Sequence, residues 1–241
     1  MVAPAVDVGE LAFGGSEIRQ LWSFLDGSIM ALDTRQRLWR SWGLCPRHAW
    51  GYALAEIEVH GGKPLSTAIL YEDLTRRAAR VANARLKPWT LIRRQLGSRA
   101  TCFTCDYIEM GGPTAAVDER DRAMARRVNQ RARVAVMLDE LLELALHRSC
   151  PACLGGAGII CRLHLLDRDR RPPGLPGDLE ALATRLRALI NSMTTRRTPV
   201  GPPERVSWIE ALGWFGGWDG LHKLAEGPAT PELNPERAHH R

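Results

Sequence analysis

The chain has 241 residues, a formal net charge of +6, 45% apolar residues and 25% charged ones, a balance that suits a packed core and excludes a disordered or fibrous protein. No apolar run reaches the ~20 residues that a membrane-spanning helix needs. Residues 1–10 have neither a basic start nor a long apolar stretch, so the expectation is a cytoplasmic protein without a membrane segment.

Strand signals are scarce, while Ala, Leu, Arg and Glu recur at helical spacing. Ser16 is placed to cap a first helix that carries Ile18, Leu21, Trp22 and Leu25 on one side. Asp33–Trp42 repeats the pattern with Leu38, Trp39 and Trp42. Cys45-Pro46 reads as the start of a third helix, because Pro is tolerated in a first turn, and Gly61-Gly62 ends it after Val59. Pro64–Arg85 carries Leu70, Leu74, Ala78 and Val81 on one face, and Pro88–Leu96 is a shorter helix. One long helix is predicted over Ala116–His147, with Met124, Val128, Ala132, Ala135, Leu138, Leu142 and Ala145 as its stripe. A glycine-rich knuckle at 154–158 precedes a short helical start at Cys161–Leu166. Asp178 caps a helix bearing Leu179, Leu182, Leu186, Leu189 and Ile190, and Pro203–Leu224 is helical with an aromatic face of Trp208, Trp214, Phe215 and Trp218, expected to be core.

The predicted fold is therefore all-α, an irregular helical bundle. Residues 1–166 are expected to form a helical metal-binding domain, 167–177 a linker or exposed loop, 178–226 C-terminal helices on the same core, and 227–241 a disordered tail.

The six cysteines carry the chemistry. Cys102/Cys105 and Cys150/Cys153 are CxxC pairs; Cys45/His48 and Cys161/His164 are CxxH pairs; no cysteine is left over. Redox CxxC motifs open a helix after a strand, and no strand is predicted before these, while iron–sulfur sites prefer all-cysteine sets. Zinc takes four Cys and His ligands in a tetrahedron, and six thiols with two imidazoles divide into two Cys3His sites. The expected cofactor is two structural Zn2+ ions. The CxxH pairs are expected at helix N-termini, where first-turn amides favour thiolate, with the CxxC pairs as the opposite rim. Two pairings remain open. The local one joins Cys150, Cys153, Cys161 and His164, and leaves Cys45, His48, Cys102 and Cys105; the glycine-rich spacer suits it. The crossed one joins Cys102/Cys105 to Cys161/His164 and Cys45/His48 to Cys150/Cys153.

Gly43-Leu44-Cys45-Pro46-Arg47-His48-Ala49-Trp50 resembles the G-[FL]-C-x-x-H-A-W signature of an uncharacterised bacterial family whose members carry CxxC and CxxH motifs on helices. Residues 67–74 resemble that family's following helix, and Ser207–Leu212 with Gly217, Gly220 and Leu221 its C-terminal segment. The resemblance implies metal binding and brings no activity. The family opens with a CxxC before the first CxxH, where this chain reads Phe13-Gly14-Gly15-Ser16; compensation by Cys150/Cys153 would favour the crossed pairing.

No HExxH, Walker A loop or dinucleotide GxGxxG is present, and a filled Cys3His site has no open position for a substrate, so an enzyme is not the expectation. Of the cationic residues only Lys63, Lys87 and Lys223 are lysines, a bias that high-GC coding also produces. Arg76, Arg77, Arg80, Arg93 and Arg94 cluster around Trp89, and Arg126 and Arg127 on the long helix add a second patch. These nominate nucleic acid as a partner through phosphate contacts. The expected function is a non-catalytic, zinc-stabilised scaffold for a macromolecular partner; the alternatives are a nucleic-acid-binding zinc protein and a thiol redox or metal sensor.

Overall fold

The computed structural model describes residues 13–27, 31–84, 86–110, 117–135, 140–195 and 198–220, with the side chains of 130–135 and 140 left aside. Among them every regular element is a helix, as predicted: α1 Gly15–Leu25, α2 Leu32–Ser41, α3 Pro46–Val59, α4 Leu65–Ala82, α5 Trp89–Leu96, α6 Phe103–Glu109, α7 Glu119–Ala135, α8 Glu140–His147, α9 Pro151–Leu154, α10 Arg162–Leu166, α11 Leu175–Thr195, α12 Pro202–Arg205 and α13 Ser207–Gly216. None of them is long and apolar enough to cross a membrane.

Two helices form the centre. In α3 every residue from His48 to Ile57 is buried, and in α13 so is every residue from Ile209 to Gly216. Such all-round burial suits helices covered on all sides rather than on one stripe. The pair α1 and α7 covers one flank of α3, while α13 lies against α3, α4 and α11. The longest contact runs along α4 and α11. There the buried carboxylate of Glu72 accepts from Arg187 Nε at 3.1 Å and from its other guanidinium nitrogen at 2.8 Å, and also pairs with Arg76 on its own helix. Trp214, Phe215 and Trp218 are buried in the core and Trp208 is partly buried against it; Phe215 packs against Trp42 and Tyr71 with ring centroids 6.2 and 5.5 Å apart.

Several boundaries differ from the sequence reading. Ser16 lies inside α1, whose N-cap is Gly14; Glu17 Oε2 instead accepts from the Gly14 N–H at 2.9 Å, the reciprocal half of a capping box. The stretch 116–147 contains α7 and α8, with 136–139 and the 132, 135 and 138 side chains outside the described residues. Helix α11 starts at Leu175, inside the expected loop, because Pro176 fits a first turn and Leu175 is buried. The stretch expected as one helix from Pro203 contains α12 and α13; Gly217, at φ +84°, ends the latter, and 221–224 lie outside the described residues. The tail 227–241 lies outside the described residues.

The start of α4 is held by a buried side chain from α3. Glu56 Oε2 accepts from Thr67 N and Thr67 Oγ1 at 2.8 and 2.7 Å, and Oε1 from Ser66 N. No side chain of the chain's own first turn caps α4, so this carboxylate satisfies the orphan donors. Glu56→Ala is expected to destabilise the fold by about 2–3 kcal/mol, read as a lower urea midpoint with an unchanged slope.

Candidate metal centres

All four ligand pairs share one local geometry. Cys45, Cys102, Cys150 and Cys161 are each the extended N-cap residue of a helix, with ψ of 164°, 129°, 129° and 157°. His48, Cys105, Cys153 and His164 each stand three residues on, in the first turn. Side chains at N-cap and N3 lie on the same side of that turn, which is why a spacing of two intervening residues points both at one ion. The CxxC pairs therefore open helices as the CxxH pairs do, rather than forming a separate kind of rim. The first-turn amides of His48 and His164 favour the thiolate of Cys45 and Cys161.

The chain brings these pairs together in the local pairing, not the crossed one. Cys45, His48, Cys102 and Cys105 form one cluster; Cys150, Cys153, Cys161 and His164 form the other; within each, the ligand atoms all lie within 4.8 Å of one another. In the first centre, His48 Nδ1 is 3.2, 3.5 and 3.4 Å from the Cys45, Cys102 and Cys105 sulfurs, and Cys45 and Cys105 are 3.8 Å apart. In the second, His164 Nδ1 is 3.8, 3.3 and 3.3 Å from the Cys150, Cys153 and Cys161 sulfurs, with Cys153 and Cys161 3.6 Å apart. A tetrahedron with zinc–sulfur and zinc–nitrogen bonds of ordinary length has edges of about 3.8 Å between sulfurs and about 3.5 Å from sulfur to nitrogen. The donor sets fit such an ion, and all six cysteines are free of disulfides.

The thiols also restrain one another's ionisation. Hydrogen bonds from Cys105 and Cys45 pull Cys102 far below the usual thiol range, while the bond to Cys102 and burial push Cys45 and Cys105 up. In the second centre the hydrogen bond from Cys161 draws Cys153 down to about 6, and Cys161 rises. One thiolate per centre is stabilised by its neighbours; three together require a cation.

The turns that deliver the ligands are specific. Trp42 ends α2 in the left-handed region at φ 57°, where its indole N–H donates to Gln95 O at 3.0 Å. Gly43 follows at φ +97°, and a Cβ there would meet Leu74 and the Tyr71 hydroxyl at 3.3 and 3.4 Å. In the knuckle, Gly155 takes φ +68°, and a Cβ on Gly158 would fall 1.8 Å from Arg148 O. The glycines close a loop that places Cys161 beside Cys153.

Groups outside the eight ligands support each centre, and the sequence reading missed them. Glu17 Oε1 is 3.1 Å from His48 Nε2, the ring nitrogen turned away from the sulfurs. Arg47 holds the same carboxylate, Nε to Oε1 at 2.8 Å and a terminal nitrogen to Oε2 at 3.0 Å. Burial alone would raise Glu17, but the bonds from His48, Arg47 and the Gly14 N–H hold it well below the usual carboxylate range. A carboxylate on the far nitrogen of a ligating histidine fixes its ring and its tautomer. Beside the second centre, Arg162 is buried, which pushes its guanidinium down to about 10. In sequence, Glu17 reads as an acidic first-turn residue and Arg162 as one arginine among thirty.

Most of the nominated arginines have a partner within the chain, although Arg76, Arg126 and Arg127 remain more than half exposed. Arg76 pairs with Glu72, Arg126 with Glu119, and Arg127 lies 3.5 Å from Glu58. The Arg77 guanidinium stacks over Trp39 and Trp42, 5.3 and 5.7 Å from their centroids, and Arg93 donates to Arg168 O at 3.1 Å. Arg80 and Arg94 are exposed.

No protein-family model, curated protein or solved structure matches the chain.

Glu17→Gln is expected to weaken Co(II) binding at the first centre by about 10–100-fold, measured by competition against a chromophoric chelator.

Proposed function

We propose that the chain is a non-catalytic helical scaffold for a macromolecular partner, held in shape by two structural Zn2+ ions. The observation that carries this reading is the closure of eight Cys and His side chains into two four-residue sets, donor atoms within 4.8 Å of one another and each imidazole 3.2–3.8 Å from its three sulfurs. Soft thiolates with one imidazole select zinc among the common divalent ions, and a set of four protein ligands leaves no position for substrate. The ligand thiols need a reducing compartment, which supports a cytoplasmic location. The G-[FL]-CxxHAW resemblance at Gly43–Trp50 fits the same reading.

The two other readings have weaker support. Thiol sensing needs reactive, accessible sulfurs, whereas Cys102, Cys150 and Cys161 are buried and Cys45, Cys105 and Cys153 are half-buried. Phosphate binding through the nominated arginines competes with carboxylates, carbonyls and indoles that already engage Arg76, Arg77, Arg93, Arg126 and Arg127.

Elemental analysis of protein purified without added metal is expected to give about two zinc ions per chain. Stripping them with a strong chelator is expected to lower the helical circular dichroism and expose all six thiols to a maleimide. Native protein with no bound metal, or with thiols that react fully while zinc is retained, would overturn the proposal.

A further inference from the structure

Arg162 stands between the two ligands that α10 gives to the second centre, yet its side chain reaches away from them into the core. It is 6% exposed, and among the described residues no carboxylate pairs with it. One terminal nitrogen donates to Leu96 O at 3.2 Å and Ser98 Oγ at 3.1 Å, and the other to Phe215 O at 3.1 Å. Leu96 is the last residue of α5, and Phe215 lies in the last turn of α13. Both carbonyls are thus C-terminal groups without intrahelical partners, which favour a cation. The Arg162 Nε–H is buried without a partner.

The segment that Arg162 grips leads to the first centre. Ser98 lies four residues before Cys102. Its hydroxyl donates onward to Ser41 O at 3.0 Å, and the Arg99 N–H to Arg40 O at 2.8 Å. The Ser41 hydroxyl bonds Gly43 O at 2.7 Å, two residues before Cys45. A continuous polar chain therefore runs from the Cys161/His164 turn to both chain segments that deliver ligands to the other centre.

We infer that Arg162 couples the two centres, so that ligation of metal by Cys161 and His164 raises the affinity of the Cys45/His48/Cys102/Cys105 set. The inference rests on the proposal that both centres bind metal. Helix α10 has five residues, too few to persist by its own hydrogen bonds. Ligation at Cys161 and His164 fixes its first turn and with it the Arg162 fork. The fork then holds 96–98 and, through Ser98, residues 40–43, and a pre-ordered ligand set loses less entropy on binding. The charge of Arg162 alone would not produce this effect. Each filled Cys3His set carries one net negative charge, and two like charges do not attract, so a rigid connection must supply the positive sign.

The test is a Co(II) titration of the full chain at buffered free metal, followed by the visible ligand-field bands. Wild type is expected to bind two ions with a Hill coefficient of about 1.5 or more, and Ser98→Ala and Arg162→Lys with one of about 1 or below. Lysine keeps the charge and loses the fork. Ser98→Ala removes only the hydroxyl that joins Arg162 to Ser41, and it decides the matter where the Arg162 variant loses its helicity at saturating metal. Two ions bound by wild type without cooperativity would overturn the coupling alone, as would a Ser98→Ala protein that keeps the wild-type coefficient. A chain that takes up no Co(II), and carries no zinc as purified, would overturn the metal reading and the coupling together.

Discussion

Three thiols within reach of one imidazole cannot all ionise unless a cation lies between them. Each centre of this chain gathers such a set, with the imidazole 3.2–3.8 Å from its sulfurs. Without that cation each set is a group of competing proton donors in a partly dry interior, in which one thiolate is stabilised at the expense of its neighbours. With it, the same atoms become the strongest local restraint in the molecule, since a structural zinc site contributes an energy comparable to a whole domain's stability.

That restraint falls where the helices are least able to stand alone. Helices α6, α9 and α10 have seven, four and five residues, and isolated helices shorter than about 12 residues are marginal in water. Each begins at a ligand. The first centre joins α3, one of the two central helices, to α6, where Ile108 is exposed. The second closes a short hairpin between α8 and the core. The long pair α4 and α11 needs no such clip, because apolar stripes and the Glu72–Arg187 bond hold it.

What could be read from the sequence follows from how local each cause is. The four Cys/His pairs were legible because N-cap and N3 positions are three apart in any chain, and the structure gathers them into two clusters. The stripe of α4 was legible because Leu70, Leu74 and Ala78 repeat at helical spacing and are buried. The pairing was not settled, since it depends on α6 reaching α3, a tertiary fact; the glycine spacer pointed the right way, and the comparison with a family that opens on CxxC pointed the wrong way. The segment that opens α1 lies beside the first centre and supplies Glu17 to His48. The break at Val206 and the start of α11 at Leu175 went unseen because buried side chains, rather than propensity, set them.

The charge of the chain looks different once the helices are in place. A surplus of arginine suggests a surface for phosphate, but much of it is engaged inward: Arg187 on Glu72, Arg148 and Arg185 on Glu210, Arg47 on Glu17, Arg171 on the end of α4. Arg162 carries this furthest, since it joins two helix ends to the approach of a candidate metal centre with no acidic partner among the described residues. A guanidinium suits that role where an ammonium does not, because its planar fork reaches several carbonyls at fixed angles and stays charged when buried. In a bundle of short helices, an arginine set at the end of one element can satisfy the carbonyls that end two others, as Arg162 does for α5 and α13.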